Sequence, residues 1–373
     1  MRTSKLLAVS GAVAAGLLLV TPTIASAHPK PTPTPVVKSD ALAAPFNLAL
    51  NHGRVYVADG GLNLVGKLRS DGSIKTIAAD QPGASGVATS KDGRYLAFTS
   101  TVTNEATFEN TASGLNIWGP RGKRVHVDTL AYETKNNPDK INHYGVKNPS
   151  QCVIDAFTQA QFPYDYTGQV DSHAYSVTSF GAKWVVADAG ANALWKIDNK
   201  GNIRTLAVLP PQPTKITAAM ASALGFPACV VGVTYNFEPV PTDVEVGKDG
   251  YLYVTTLPGG PEGPVLGARG KVWKVNPYSG NAWVIASGFL GSTNLALGKH
   301  GEIYVAELFG GNISVVKHGK KSNYLTLPGV VAVETSKSGE LWAATLGDEA
   351  SHAPGTIVKI THGKAYKQAT VKP

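Results

Sequence analysis

From residue 36 onward, short apolar runs alternate with polar turns, and no helical periodicity lies between them. The first unit runs Asn47 to Leu50, a turn at Gly53, Val55 to Asp59, Val65 to Leu68, Asp71-Gly72, then Ile74 to Ile77. It reads as strand, Gly turn, strand ending in small or acidic residues, third strand, polar turn and fourth strand. Five further copies start at Gly86, Tyr175, Asp243, Asn294 and Ala332. Gly between strands supplies the positive φ that a tight hairpin needs. Repetition of this kind predicts an all-β fold, a six-bladed β-propeller of four-stranded antiparallel blades. Two stretches interrupt the repeat, about 132–170 and about 210–237; without them each unit is about 45 residues, the size of one blade. Val36 to Ser39 resembles the outer-strand ends of other repeats, so an N-terminal strand is expected to close the last blade beside Thr356 to Ile360.

Composition narrows the class. Forty Gly, 24 Pro and a charged fraction of 16% do not describe a helical bundle or a disordered tail. Residues 1–27 read as a signal peptide, with Arg2 and Lys5 before the apolar Leu6 to Val20 and cleavage after Ala27. The apolar stretch is shorter than the roughly 20 residues of a spanning helix. A secreted, extracellular chain with no transmembrane segment is therefore expected, and a monomer. Residues 28–35 read as a Pro/Thr-rich linker, 36–365 as the propeller and 366–373 as a C-terminal tail. The formal charge of +8 becomes +6 without the leader. Basic clusters at Arg121 to Arg124 and Lys317 to Lys321 fall on hairpin turns, which argues against a nucleic-acid partner. Cys152 and Cys229 lie one in each interruption. In an oxidising compartment they are expected to form a disulfide pinning the two together, at about 4 kcal/mol in the loop-entropy model.

Candidate chemistry sits where a propeller gathers side chains. Asn47, Asp243 and Asn294 begin inner strands, where their oxygens can converge on a hard cation such as Ca²⁺; Asp243 and Asn294 are the candidate metal ligands. Capping of strand ends is the competing role. Asp59, Asp188 and Glu307 close second strands in alternate copies. They either crowd at one rim or bond the amides of their own loops. Asp171 and Glu238 precede inner strands beside the interruptions, and His173, two residues from Asp171, is the best placed His for acid/base or ligand work. His143-Tyr144 is a weaker candidate. Tyr56, Trp184, Tyr253, Tyr304 and Trp342 recur as inter-blade core or as a stacking platform. There is no GxSxG, Walker, GxGxxG, HExxH or EF-hand pattern.

Several segments together resemble the ScyD/ScyE family. They are Asn236-Phe237-Glu238-Pro239-Val240-Pro241-Thr242 followed by Val246 to Val254, and Trp184 to Leu194. Asp171-Ser172-His173-Ala174-Tyr175 is similar to the family's Asp-Ser-Asn-Pro-Tyr element but departs from it at His173 and Ala174. The resemblance implies a secreted NHL-like six-bladed propeller, loosely similar to gluconolactonases and strictosidine synthases, and fixes no reaction. The expected function is binding of a small molecule, glycan or protein at one rim, with Asn47, Asp59, Asp171, His173, Asp188, Glu238, Thr242 and Glu307 as candidate ligand residues. The alternative is a divalent-cation-dependent lactonase or esterase. A role beside a pigment pathway rests on the family name alone.

Overall fold

A computed structural model describes residues 32–348 and 350–362. The expected signal peptide, residues 28–31 of the Pro/Thr segment and the expected C-terminal tail lie outside the described residues.

Among the described residues, seven four-stranded antiparallel sheets form. Six correspond to the sequence repeats, with first strands Pro45–Asn51, Val87–Thr89, Ala174–Phe180, Pro241–Val246, Ser292–Leu297 and Val330–Thr335. Each first strand touches the next, and the last touches the first, so these strands close a ring. The sixth sheet takes its outer strand from the N-terminal side: Pro33–Leu42 pairs antiparallel with Gly355–His362. This pairing begins at Pro33, so the end of the Pro/Thr segment is strand; Pro there is tolerated on an edge.

Local chemistry explains the blades. The Asp249-Gly250 turn has Gly250 at φ +79°, which joins the first and second strands of the fourth blade as a tight hairpin. Between blades, alternate residues interlock. Trp184, Trp195, Leu115, Ile117 and Val177 form one such layer, and Val185, Leu194, Val254 and Trp273 the next. Of the recurring aromatics, Trp184 is fully buried, while Tyr56, Tyr253, Tyr304 and Trp342 are half-buried against core clusters. They are inter-blade core.

The first strands are also stitched by side chains. Asn47 Oδ1 accepts Val87 N–H at 3.4 Å, Asp243 Oδ2 accepts Leu295 N–H at 2.9 Å, and Asn294 Oδ1 accepts Val333 N–H at 2.8 Å. Each reaches one blade ahead. Hydroxyls reach ahead too, as donors: Thr242 donates to the Ser292 carbonyl at 2.9 Å, and Thr293 to that of Val331 at 2.8 Å. At the second blade the approach is closer. A Cβ on Gly86 would stand 2.8 Å from Ser176 Cα and 2.9 Å from Tyr175 O, so only glycine admits the third blade there.

The seventh sheet, Asp165–Thr167, His143–Val146, Thr234–Phe237 and Gln212–Lys215, is built from both interruptions. With it come helices α1 (Thr129–Asn136), α2 (Gln151–Gln159) and α3 (Ala218–Ala223). Phe157 stacks on Phe226 and Tyr235, with centroids 4.8 and 5.5 Å apart. Cys152 and Cys229 form a disulfide, joining the two interruptions across 77 residues of sequence.

Candidate functional site at the loop rim

Strand parity decides which rim carries chemistry. In each blade the turns after the first and third strands lie on one rim. Loops after the second strand, and connections to the next blade, lie on the other. Both interruptions are blade-to-blade connections, so the seventh sheet and its helices rise from that second rim. The long second-blade hairpin (Leu96–Thr103 with Asn110–Trp118) and the loop 257–269 project from it as well.

First strands enter the ring with a register shift in five blades, between Pro45/Asn47, Ala174/Ser176, Pro241/Asp243, Ser292/Asn294 and Val330/Ala332. The extra residue in each is Phe46, Tyr175, Thr242, Thr293 and Val331. This corrects the repeat alignment: Ser176, not Tyr175, is the third-blade equivalent of Asn47, Asp243 and Asn294. Ser176 Oγ accordingly donates to Asp243 Oδ1 at 2.5 Å. Tyr175 stands with Phe46, their ring centroids 6.0 Å apart, and His173 meets Tyr175 edge-on at 5.4 Å. These three aromatic rings stand together where the first strands of the first and third blades enter the ring.

The second-strand acids hold loops. Asp59 accepts the N–H groups of Ala43, Ala44 and Leu62 at 2.9–3.1 Å. Asp188 accepts from His173 and Ala191 N–H at 2.7 and 3.1 Å, and from Ser172 Oγ and Trp195 Nε1 at 2.6 and 2.7 Å. Glu307 accepts Leu290 N–H at 2.5 Å, receives a hydroxyl hydrogen bond from Ser314 and pairs with Lys321 at 2.9 Å. All three are fully buried or nearly so. Thr242 and the inner-strand trio Asn47, Asp243 and Asn294 are occupied in stitching blades. Among the described residues, no group of three or more His, Cys, Asp or Glu side chains is arranged to hold a metal ion.

Asp171, His173 and Glu238 are the sequence candidates that stand half-buried on the insertion-bearing rim. Asn110, at the turn end of the second-blade hairpin, donates to Asp171 Oδ1 at 2.9 Å. Burial lowers the His173 pKa and so favours its neutral ring, although Asp188 and Asp171 oppose this. Glu238 is raised, first by burial, against hydrogen bonds from Tyr166 and Asn192. His143 faces outward, Nε2 to Asp165 Oδ1 at 2.8 Å, away from this group.

Sequence reasoning missed a set of acceptors under the rim. Glu133 on α1 is fully buried, and neither carboxylate oxygen has a partner. Burial, then Asp139, Asp188 and Asp171, push it up to about 8. Asp139 binds Tyr144 Oη and Asn192 Nδ2 through Oδ2, at 3.2 and 3.0 Å, and burial pushes it up to about 6. Its Oδ1 and the Asn137 Oδ1 are buried without partners. Lower in the channel, Glu334 is pushed up to about 8 and Glu245 is also raised, chiefly by burial, with Glu334 and Asp243 adding to the effect on Glu245.

No protein-family model and no curated protein matches the chain. Among solved structures it is similar to a glucose dehydrogenase, with a TM-score of 0.51 and 12% identity over 89% of this chain and 100% of that one. A protein of unknown function from Bacteroides thetaiotaomicron gives a TM-score of 0.51 and 9% identity, over 89% and 73%. Virginiamycin B lyase from Staphylococcus aureus gives 0.45 and 13%, over 89% of each chain. What is shared is the β-propeller fold. Identities this low carry no activity across. No helix among the described residues is long and apolar enough to cross a membrane.

Proposed function

We propose that this chain is an exported propeller of ScyD/ScyE type that binds a hydroxyl-rich small molecule or glycan at its insertion-bearing rim. The observation that carries the reading is the grouping of Phe46, Tyr175 and His173 where first strands enter the ring, flanked by Asp171. Aromatic faces cover the C–H faces of a sugar ring, and carboxylates accept its hydroxyls. The disulfide between the interruptions fits an oxidising compartment and ties together the insertions on that rim. A lactonase or esterase working through a cation on Asp243 and Asn294 has less behind it, because oxygens of both already accept backbone N–H groups of the neighbouring blade.

The test is a glycan array followed by calorimetry on the strongest binder, with wild type, Tyr175→Ala and Asp171→Asn. Each variant is expected to weaken binding by about tenfold or more, the worth of one good contact. Binding that survives both substitutions, or a blank array, overturns the reading.

A further inference from the structure

The fourth-blade loop 257–269 holds Gly259, Gly260, Gly263 and Gly267. It frames a cavity of about 150 Å³ with Leu257, Phe289, Leu290 and Phe309 among its walls. Arg269 lines the same cavity. Its guanidinium lies over the Phe237 ring, Cζ 4.3 Å from the centroid. Nη2 donates to the carbonyls of Pro258 and Gly259 at 3.2 and 2.9 Å. Nε and Nη1 are shut off from solvent with no partner.

No carboxylate compensates this charge. Among the described residues Arg269 enters no ion pair. Glu262, the sole acid on the cavity wall, is exposed. Burial is the one cause that lowers the Arg269 pKa, to about 10. Arg269 is half-buried. A cation held partly away from water without a counter-charge is costly, and a carboxylate supplies both the charge and an acceptor for one free N–H, Nε or Nη1, while Nη2 stays on its two carbonyls. One cation among apolar walls suits a singly charged anion with an apolar body better than a doubly charged phosphate. A volume of about this size is enough for a benzene ring. Reaching Nε or Nη1 requires the loop to shift, and its four glycines give it the backbone freedom to do so.

We propose that this cavity is a binding site for a small carboxylate with an aromatic or branched apolar body, Arg269 taking the carboxylate and Phe289 and Phe309 the body. The site does not depend on the rim residues Tyr175 and Asp171, so it stands or falls apart from the reading above.

Calorimetry with the full chain compares phenylacetate with its uncharged isostere phenylacetamide. Wild type is expected to bind the acid at least about tenfold more tightly than the amide. Arg269→Met is expected to abolish that preference, and Phe309→Ala to weaken the acid while leaving the preference for acid over amide. Should Arg269→Met fail to fold, Arg269→Lys keeps the charge without the planar group that lies over Phe237 and holds two loop carbonyls, and is expected to bind the acid about tenfold more weakly. Equal binding of acid and amide, or undiminished acid binding by Arg269→Met or Arg269→Lys, overturns the proposal. So does absence of acid binding to wild type at about 10 mM, the weak limit for a built site.

Discussion

Glu133→Gln is expected to stabilise the protein, by an amount that grows with pH. Glu133 is fully buried, and both its oxygens lack partners. The folded state holds its proton up to about 8, against an ordinary 4.5, with burial the first cause and Asp139, Asp188 and Asp171 facing it. Below pH 4.5 both states are protonated and the residue contributes nothing to pH dependence. Above it, the unfolded chain releases the proton while the folded chain keeps it, so stability falls as pH rises, until the folded group also ionises near 8. At 1.36 kcal/mol per pH unit the ceiling is about 5 kcal/mol. Relaxation and water access around buried charges reduce such penalties, leaving about 2–3 kcal/mol as the expected difference. Glutamine keeps the shape of the protonated acid and cannot ionise. Urea unfolding of both proteins at pH 4.5, 6.5 and 8.5 should therefore show curves that coincide at the lowest pH and separate in favour of the variant above it. A difference independent of pH, or a variant less stable than wild type at pH 8.5, refutes the reasoning.

Three other outcomes are expected. Serine at both Cys152 and Cys229 should cost up to about 4 kcal/mol in the loop-entropy model, seen first as faster proteolysis within the two interruptions; two free thiols in the denatured wild type would deny the bridge. Gly86→Ala should cost about 2 kcal/mol or more, since its Cβ meets backbone of the third blade, whereas Gly259→Ala, with nothing nearer than 3.8 Å, should stay within about 0.5 kcal/mol; equal costs in denaturant unfolding would contradict this. Asn294→Ala should lose about 1–3 kcal/mol by orphaning the buried Val333 N–H, and Asn294→Asp, which keeps the acceptor, should lose less in acid, where its carboxyl is protonated, but not at neutral pH, where it would bury a charge.

The blades were legible because their signals are local. Alternation along a strand and glycine at a hairpin do not depend on what the strand later touches. The closing N-terminal strand was legible for the same reason, through the likeness of Val36 to Ser39 to other outer-strand ends. Register was less so. A bulge adds one residue without disturbing the apolar pattern, which is why Tyr175 aligned with Asn47 although Ser176 takes that place in the ring. The polar positions were visible, but their partners were not. Asp59, Asp188 and Glu307 stand in equivalent places, yet only the folded loops show that each binds the chain entering its own blade.

The interruptions were legible as positions and not as structure, since a segment that occurs once offers no repeat to align. Their helices left one readable trace: Asp128 before Thr129 is an N-cap, and Asp128 Oδ1 accepts Ala131 N–H at 2.8 Å. A helix begun there sets Glu133 within a turn of the rim, and a helix lying on a propeller must turn one face inward. Arg269 carried a similar trace, a lone cation at the end of a glycine-rich loop. Both groups sit where a segment outside the repeat leans on the repeat. Residues that every blade supplies are consumed by closing the ring, as Asp243 and Asn294 are, so chemistry specific to this chain falls to what one blade alone possesses.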